Sequence, residues 1–191
     1  RLSGKVTKRL RVGLLNMQTA KDEMNLIPSN NNTVLSFQQN VFSKSNLKFL
    51  FVNREKTGQE SFESEQERYN RLLGFDYNFI SKNDKITGKV FFYNTFSPSK
   101  ENEGISTGFR FNYNDRKNRF RTVFTRTTPN FTSDLGFSRR TGFKKNYTKY
   151  DRVFFPKSKL IQSVAIGPEL YYIDKPEENN LVTDRRLNAN L

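Results

Sequence analysis

Along residues 5–19 the even positions Val6, Lys8, Leu10, Val12, Leu14 and Asn16 form one series, while Arg9 and Arg11 fall in the other. A period of two residues is that of a pleated strand, whose successive side chains point to opposite faces. After a polar stretch at 20–32 the period returns: Leu35, Phe37 and Val41 alternate with Ser36, Gln38 and Asn40. A short turn at 43–46 leads into Leu47, Phe49 and Phe51, set against Lys48, Leu50, Val52 and Arg54. A charged stretch at 55–68 separates this pair from the clearest hairpin. There Leu73, Phe75, Tyr77 and Phe79 alternate with Leu72, Gly74, Asp76 and Asn78. A tight turn at 81–84 then returns the chain through Ile86, Val90, Phe92 and Phe96.

A looser loop at 97–104 precedes a second hairpin, in which Ile105, Phe109, Phe111 and Tyr113 face Phe120 and Phe124 across an Asn- and Asp-rich turn. Beyond Thr128 the pattern weakens. Residues 134–143 read equally as strand or packed loop, and Val153, Phe154 and Phe155 form an apolar run stopped by Pro156. Alternation resumes over 162–172, where Pro168 predicts a sheet edge or bulge, and again over 181–191. Glycines at 74, 88, 108, 136 and 142 fall inside or beside these patterns and read as points of curvature.

Eight to ten amphipathic strands, joined alternately by short turns and long polar loops, predict an all-β fold: an antiparallel up-and-down transmembrane β-barrel, present as an incomplete segment of a larger barrel. Residues 1–191 read as one such unit, with long polar loops near 20–32, 55–68 and 97–104. In hydrocarbon every backbone N–H and C=O must find a partner, which a closed sheet supplies; one face then meets lipid and the other a polar interior. On this reading Leu10, Val12, Leu14, Leu73, Phe75, Tyr77, Phe79, Val90, Phe92, Phe109 and Phe111 face lipid. Lys8, Asn16, Arg71 and Asn94 share that series and are tolerable there only near strand ends. Alternating strands also build soluble sandwiches and lipocalin-like barrels, so a soluble basic β-domain binding glycans or nucleic acid is the second reading.

Composition narrows the chemistry. Ala occurs three times against 19 Phe, 8 Tyr and 22 Asn, an inventory suited to sheets and turns rather than helices. Without Cys or His the chain has no thiol nucleophile, disulfide or His-based triad. The net charge of +14 permits anionic partners without choosing among them. No run approaches the ~18 apolar residues of a membrane-spanning helix.

The stretches Val12-Gly13-Leu14-Leu15-Asn16-Met17-Gln18-Thr19, Asn46 to Arg54 with its Phe51-Val52-Asn53-Arg54, Tyr69-Asn70-Arg71-Leu72-Leu73-Gly74-Phe75-Asp76 and Phe155-Pro156-Lys157-Ser158-Lys159 resemble the C-terminal region of a Bacteroidetes family of unknown function. Its members carry an N-terminal module similar to family-nine carbohydrate-binding domains, followed by an outer-membrane β-barrel. The resemblance covers most of the chain and implies part of such a barrel in the bacterial outer membrane. The N-terminal module, a signal peptide and a terminal aromatic residue are not in this sequence, and any link to carbohydrate handling comes only through the resemblance.

Candidate chemistry is sparse. Glu60, Glu63, Glu65 and Glu67, with Asp84 and Asp115, offer carboxylates, yet nothing fixes the separation that glycoside hydrolysis requires, so no catalytic residue is assigned. Asn83-Asp84 and Asn114-Asp115 read as turns before they read as calcium ligands. Arg139, Arg140, Lys144, Lys145, Lys149 and Arg152, interleaved with Phe143, Tyr147 and Tyr150, are candidates for polyanion contact, the first four foremost, or for the barrel interior or a loop; nucleic acid is the weaker partner for them and lipopolysaccharide phosphate the stronger. The expectation is a non-enzymatic protein without cofactor or metal, serving transport, anchoring or assembly. Its partners are the lipid bilayer and other outer-membrane proteins, including barrel-assembly machinery that would grip strands left open at both ends.

Overall fold

The computed structural model describes residues 1–58, 68–98, 104–136, 140–157 and 160–190. Eleven strands follow one another: β1 (Leu2–Lys5), β2 (Leu10–Thr19), β3 (Asn30–Val41), β4 (Ser45–Lys56), β5 (Tyr69–Ile80), β6 (Ile86–Phe96), β7 (Gly104–Asn114), β8 (Asn118–Thr127), β9 (Phe143–Phe154), β10 (Val164–Lys175) and β11 (Leu181–Asn190). Each pairs antiparallel with the next in a single sheet, and no helix occurs among the described residues. β1 and β11 are its two edges; they do not pair with each other, so the sheet is open.

Two departures from the sequence reading raise the strand count above ten. The strand expected over 5–19 is broken at 6–9, where the Thr7 hydroxyl accepts the backbone N–H groups of Arg9 (3.2 Å) and Leu10 (3.0 Å) and folds the short β1 back on β2. The other is β9, whose Lys, Asn, Thr and Tyr residues give neither face a continuous apolar series; β8 and β10 set its register from both sides. Pro168 does not mark an edge, because β10 pairs with both β9 and β11. It falls instead in a gap of the β9–β10 ladder between Ile166 and Glu169, so its missing N–H interrupts no bond there.

Register assembles the alternating series into two continuous faces. On one, Val12 lies opposite Phe37, Phe37 opposite Phe49, Phe49 opposite Phe75 and Phe75 opposite Phe92. A parallel row runs from Leu47 through Tyr77, Val90 and Phe109 to Phe124. Directly opposed side chains of this kind contribute roughly 0.2–1 kcal/mol each. The Phe37–Phe49 and Phe109–Phe124 rings meet with centroids 6.3 and 5.9 Å apart.

The buried residues lie chiefly on the other face. Val52 and Leu72 pack with Phe131, flanked by Val34, Leu50 and Tyr93. Phe131 belongs to the β8–β9 connection, and the described part of 134–142 is packed loop rather than strand, β9 beginning at Phe143. This loop folds back over β4–β7: the Thr132 N–H reaches Thr95 Oγ1 (3.4 Å), the Thr132 carbonyl accepts Asn70 Nδ2 (3.2 Å), and Arg54 Nε donates to Asp134 Oδ2 (2.6 Å). Gly104 makes this path possible, since a Cβ there would overlap the Asn130 carbonyl oxygen and Phe131 Cα.

Connections sort by length to the two rims of the sheet. One rim carries 6–9, 42–44, 81–85, 115–117 and 155–163; the other carries 20–29, 57–68, 97–103, 128–142 and 176–180. The expected rhythm of short turns and long loops is present, with 155–163 longer and 176–180 shorter than their neighbours.

Candidate functional site

Large side chains on the first face stand uncovered. Phe37 is 40% exposed, Phe75 45%, Phe92 46% and Phe109 42%, whereas Leu72 on the opposite face is 6% exposed. A soluble sandwich shows the reverse arrangement, with its apolar face against a second layer and its polar face wet. Leu10, Val12, Leu14, Leu73, Tyr77, Phe79, Val90 and Phe111 share the face of these phenylalanines, half-buried or exposed.

Polar residues in the same series sit toward its ends. Lys8 is in the β1–β2 turn. Asn16 Nδ2 donates to Thr33 Oγ1 (2.8 Å) near the long-loop rim, and Arg71 Nε donates to Asn53 Oδ1 (2.9 Å) beside Glu55. Asn94, between Leu73 and Ile105, is the exception within the apolar rows. The band also fades on β9, where Asn146 and Thr148 occupy this face; Thr148 is hydrogen-bonded to Thr122 (3.1 Å).

The second face is polar and mostly cationic. Near its middle the Tyr93 hydroxyl donates to Asp76 Oδ1 at 2.6 Å, and Lys89 Nζ reaches the same oxygen at 3.0 Å. Toward the short-turn rim a hollow of about 460 Å³ is lined by Lys85, Arg119, Arg121 and Lys149 with Asp84 and Asp151, and by Thr87, Asn112 and Tyr147. Lys149 Nζ lies 3.6 Å from Asp151 and 3.9 Å from Glu169, while Asp84 is engaged by Lys44 outside the hollow.

The six basic residues singled out from sequence do not form one patch; Arg152 Nη1 donates to Asn118 Oδ1 (2.7 Å). Arg139 lies outside the described residues. Arg140 turns to β11, its Nη1 3.0 Å from Asp184 Oδ2 and its Nη2 donating to Thr183 Oγ1 (2.8 Å). Lys144 and Lys145 are neighbours on a strand and so occupy opposite faces: Lys144 pairs with buried Asp174 at 3.3 Å, and Lys145 stands 5.0 Å from the Tyr171 ring on the polar side. Of the cations that do assemble, Arg110, Arg119, Arg121 and Lys149, only Lys149 belongs to the group singled out from sequence. Their common face follows from pairing β7 to β8 and β8 to β9, and the second of these pairings has no apolar signal to announce it.

The carboxylates remain scattered. Glu60, Glu63, Glu65 and Glu67 lie outside the described residues; Asp84 and Asp115 occupy separate turns. Asp115 Oδ1 accepts the backbone N–H groups of Lys117 (2.8 Å) and Asn118 (2.7 Å), and Oδ2 accepts the Tyr113 hydroxyl (2.8 Å). Its role is therefore to cap the turn. No group of three metal-ligating side chains occurs among the described residues. No family model, curated protein or solved structure matches the chain.

Proposed function

We infer that this chain is a stretch of barrel wall in a bacterial outer-membrane protein, with its aromatic face against lipid acyl chains and its cationic face toward water. The observation that carries the reading is the exposed band of Leu14, Phe37, Phe49, Phe75, Phe92 and Phe109, set opposite a face that buries its own small core. β2 to β11 are 10–12 residues long, against the 9–11 that a tilted strand needs to span the hydrocarbon layer. In that layer the free edge of β11 must be covered, by further strands or by another barrel protein, because unpaired backbone groups there cost several kcal/mol each. The role that follows is passage of solute, anchoring or assembly within the membrane rather than catalysis.

The chain contains no Trp, so single tryptophans report each face without background. In vesicles with brominated acyl chains, Phe75→Trp should emit at short wavelength and be strongly quenched. Phe91→Trp, on the opposite face, should emit at longer wavelength and escape quenching. Equal behaviour of the two variants, or a monomer stable in plain buffer, would overturn the reading.

A further inference from the structure

Four basic side chains run across adjacent strands on the polar face. The ladder sets Lys89 directly opposite Arg110 and Arg121 directly opposite Lys149. Arg110 and Arg121 are diagonal neighbours, because Asn112 is the residue facing Arg121. Like charges held opposite one another weaken a sheet, so a fold that places two such pairs side by side bears a cost that nothing in the strand pairing requires. The outer members of the run have counterions: Lys89 has Asp76, and Lys149 has Asp151 and Glu169. The central pair differs. Among the described residues neither Arg110 nor Arg121 forms an ion pair; the Arg121 guanidinium lies 5.7 Å from the Tyr147 ring.

Arg121 and Lys149 open into the hollow of about 460 Å³. Asn112 Nδ2 donates to Thr87 Oγ1 at 3.2 Å on its wall, which leaves the Thr87 hydroxyl hydrogen as a further donor. A guanidinium fork presents paired N–H groups to an oxyanion, and a hydroxyl and an ammonium beside it complete a set suited to a tetrahedral anion rather than to a spherical halide. We propose that this hollow, lined by Arg119, Arg121 and Lys149 and bordered by the carboxylates of Asp84 and Asp151, with Arg110 diagonal to Arg121 outside the lining, is a binding site for a water-borne phosphate-class oxyanion. The hollow admits more than one phosphoryl group, so the ligand class is a diphosphate or a small phosphorylated solute. That the ligand arrives from water rests on the membrane reading of the opposite face; the site itself does not.

The test is calorimetric titration of inorganic pyrophosphate into the full chain in neutral detergent at low salt. Saturable binding is expected, weakened about tenfold or more by Arg121→Gln, which removes charge-assisted hydrogen bonds. Arg121→Lys keeps the charge but loses the paired N–H fork and should weaken binding less than Arg121→Gln does. Arg126→Gln makes the same charge change on the other face of β8 and should leave affinity unaltered. Because Arg121→Gln removes a like-charge opposition, its melting temperature should hold or rise, which separates lost binding from lost folding. Absence of saturable binding, equal losses in Arg121→Gln and Arg126→Gln, or displacement of pyrophosphate by added phosphatidylglycerol would each overturn the proposal. Pyrophosphate binding alongside a water-exposed Phe75→Trp would leave the site standing and sink the membrane reading, and the opposite pair of results would do the reverse.

Discussion

At the β7–β8 turn the Tyr113 hydroxyl, with help from the N–H groups of Lys117 and Asn118, holds the Asp115 carboxyl well below the usual carboxylate range. A folded value below the unfolded one means that the ionised form is favoured by folding. The contribution is fully present above about pH 4, the ordinary aspartate value, and is lost as pH falls through the lower folded value. Asp115→Asn removes it at every pH. The melting temperature of Asp115→Asn should therefore lie below that of the parent at pH 7, and the gap should narrow under acid; a gap independent of pH would contradict the carboxylate's role. The Asn-Asp signature was legible as a turn because the side chain needs only local backbone partners, and the same locality explains why it offered no route to a distant site.

Among the elements, β2 to β7 were legible because each carries an apolar series that only one register can align. β9 was not: Lys145, Tyr147 and Lys149 on one face and Asn146 and Thr148 on the other give no period, so its pairing depends on neighbours far along the sequence. The β8–β9 loop was illegible for a related reason. Phe131 finds Val52 and Leu72 only after β4 and β5 are already side by side, and Gly104 is required only once that loop lies over it. Phe131→Ala should cost roughly 3–5 kcal/mol by emptying this cluster. Gly104→Ala should be comparably damaging by blocking the loop's path. Protease cleavage after exposure of 128–136 would check both, and a loop equally protected in the two variants would argue against its packing. The apolar band on the opposite face should be untouched, so membrane partitioning of both variants should persist.

Across the whole molecule, topology sorts charge as well as loop length. Among the described residues, Lys and Arg outnumber Asp and Glu in all five connections of the short-turn rim, whereas carboxylates are in excess at 20–29 and 176–180 on the other rim. The overall charge of +14 conceals this polarity, which emerges once strand order assigns each connection to a rim. In the proposed barrel wall the basic rim would meet lipid headgroups, where each Lys or Arg near an anionic surface is worth about 1 kcal/mol at low ionic strength. Vesicles containing phosphatidylglycerol should then bind the chain more tightly than purely zwitterionic ones. The preference should fade as added salt shortens the screening length to about 10 Å and below. Reversing three charges at this rim, Lys8→Glu, Lys82→Glu and Lys117→Glu together, should reduce the preference by more than about two orders of magnitude, the loss expected from removing the three positive charges alone. The same number of reversals at the opposite rim, Lys21→Glu, Arg68→Glu and Lys175→Glu, should change it far less. Equal effects from the two sets would mean that net charge alone drives association, and would remove the reason to seat the short turns at the membrane surface.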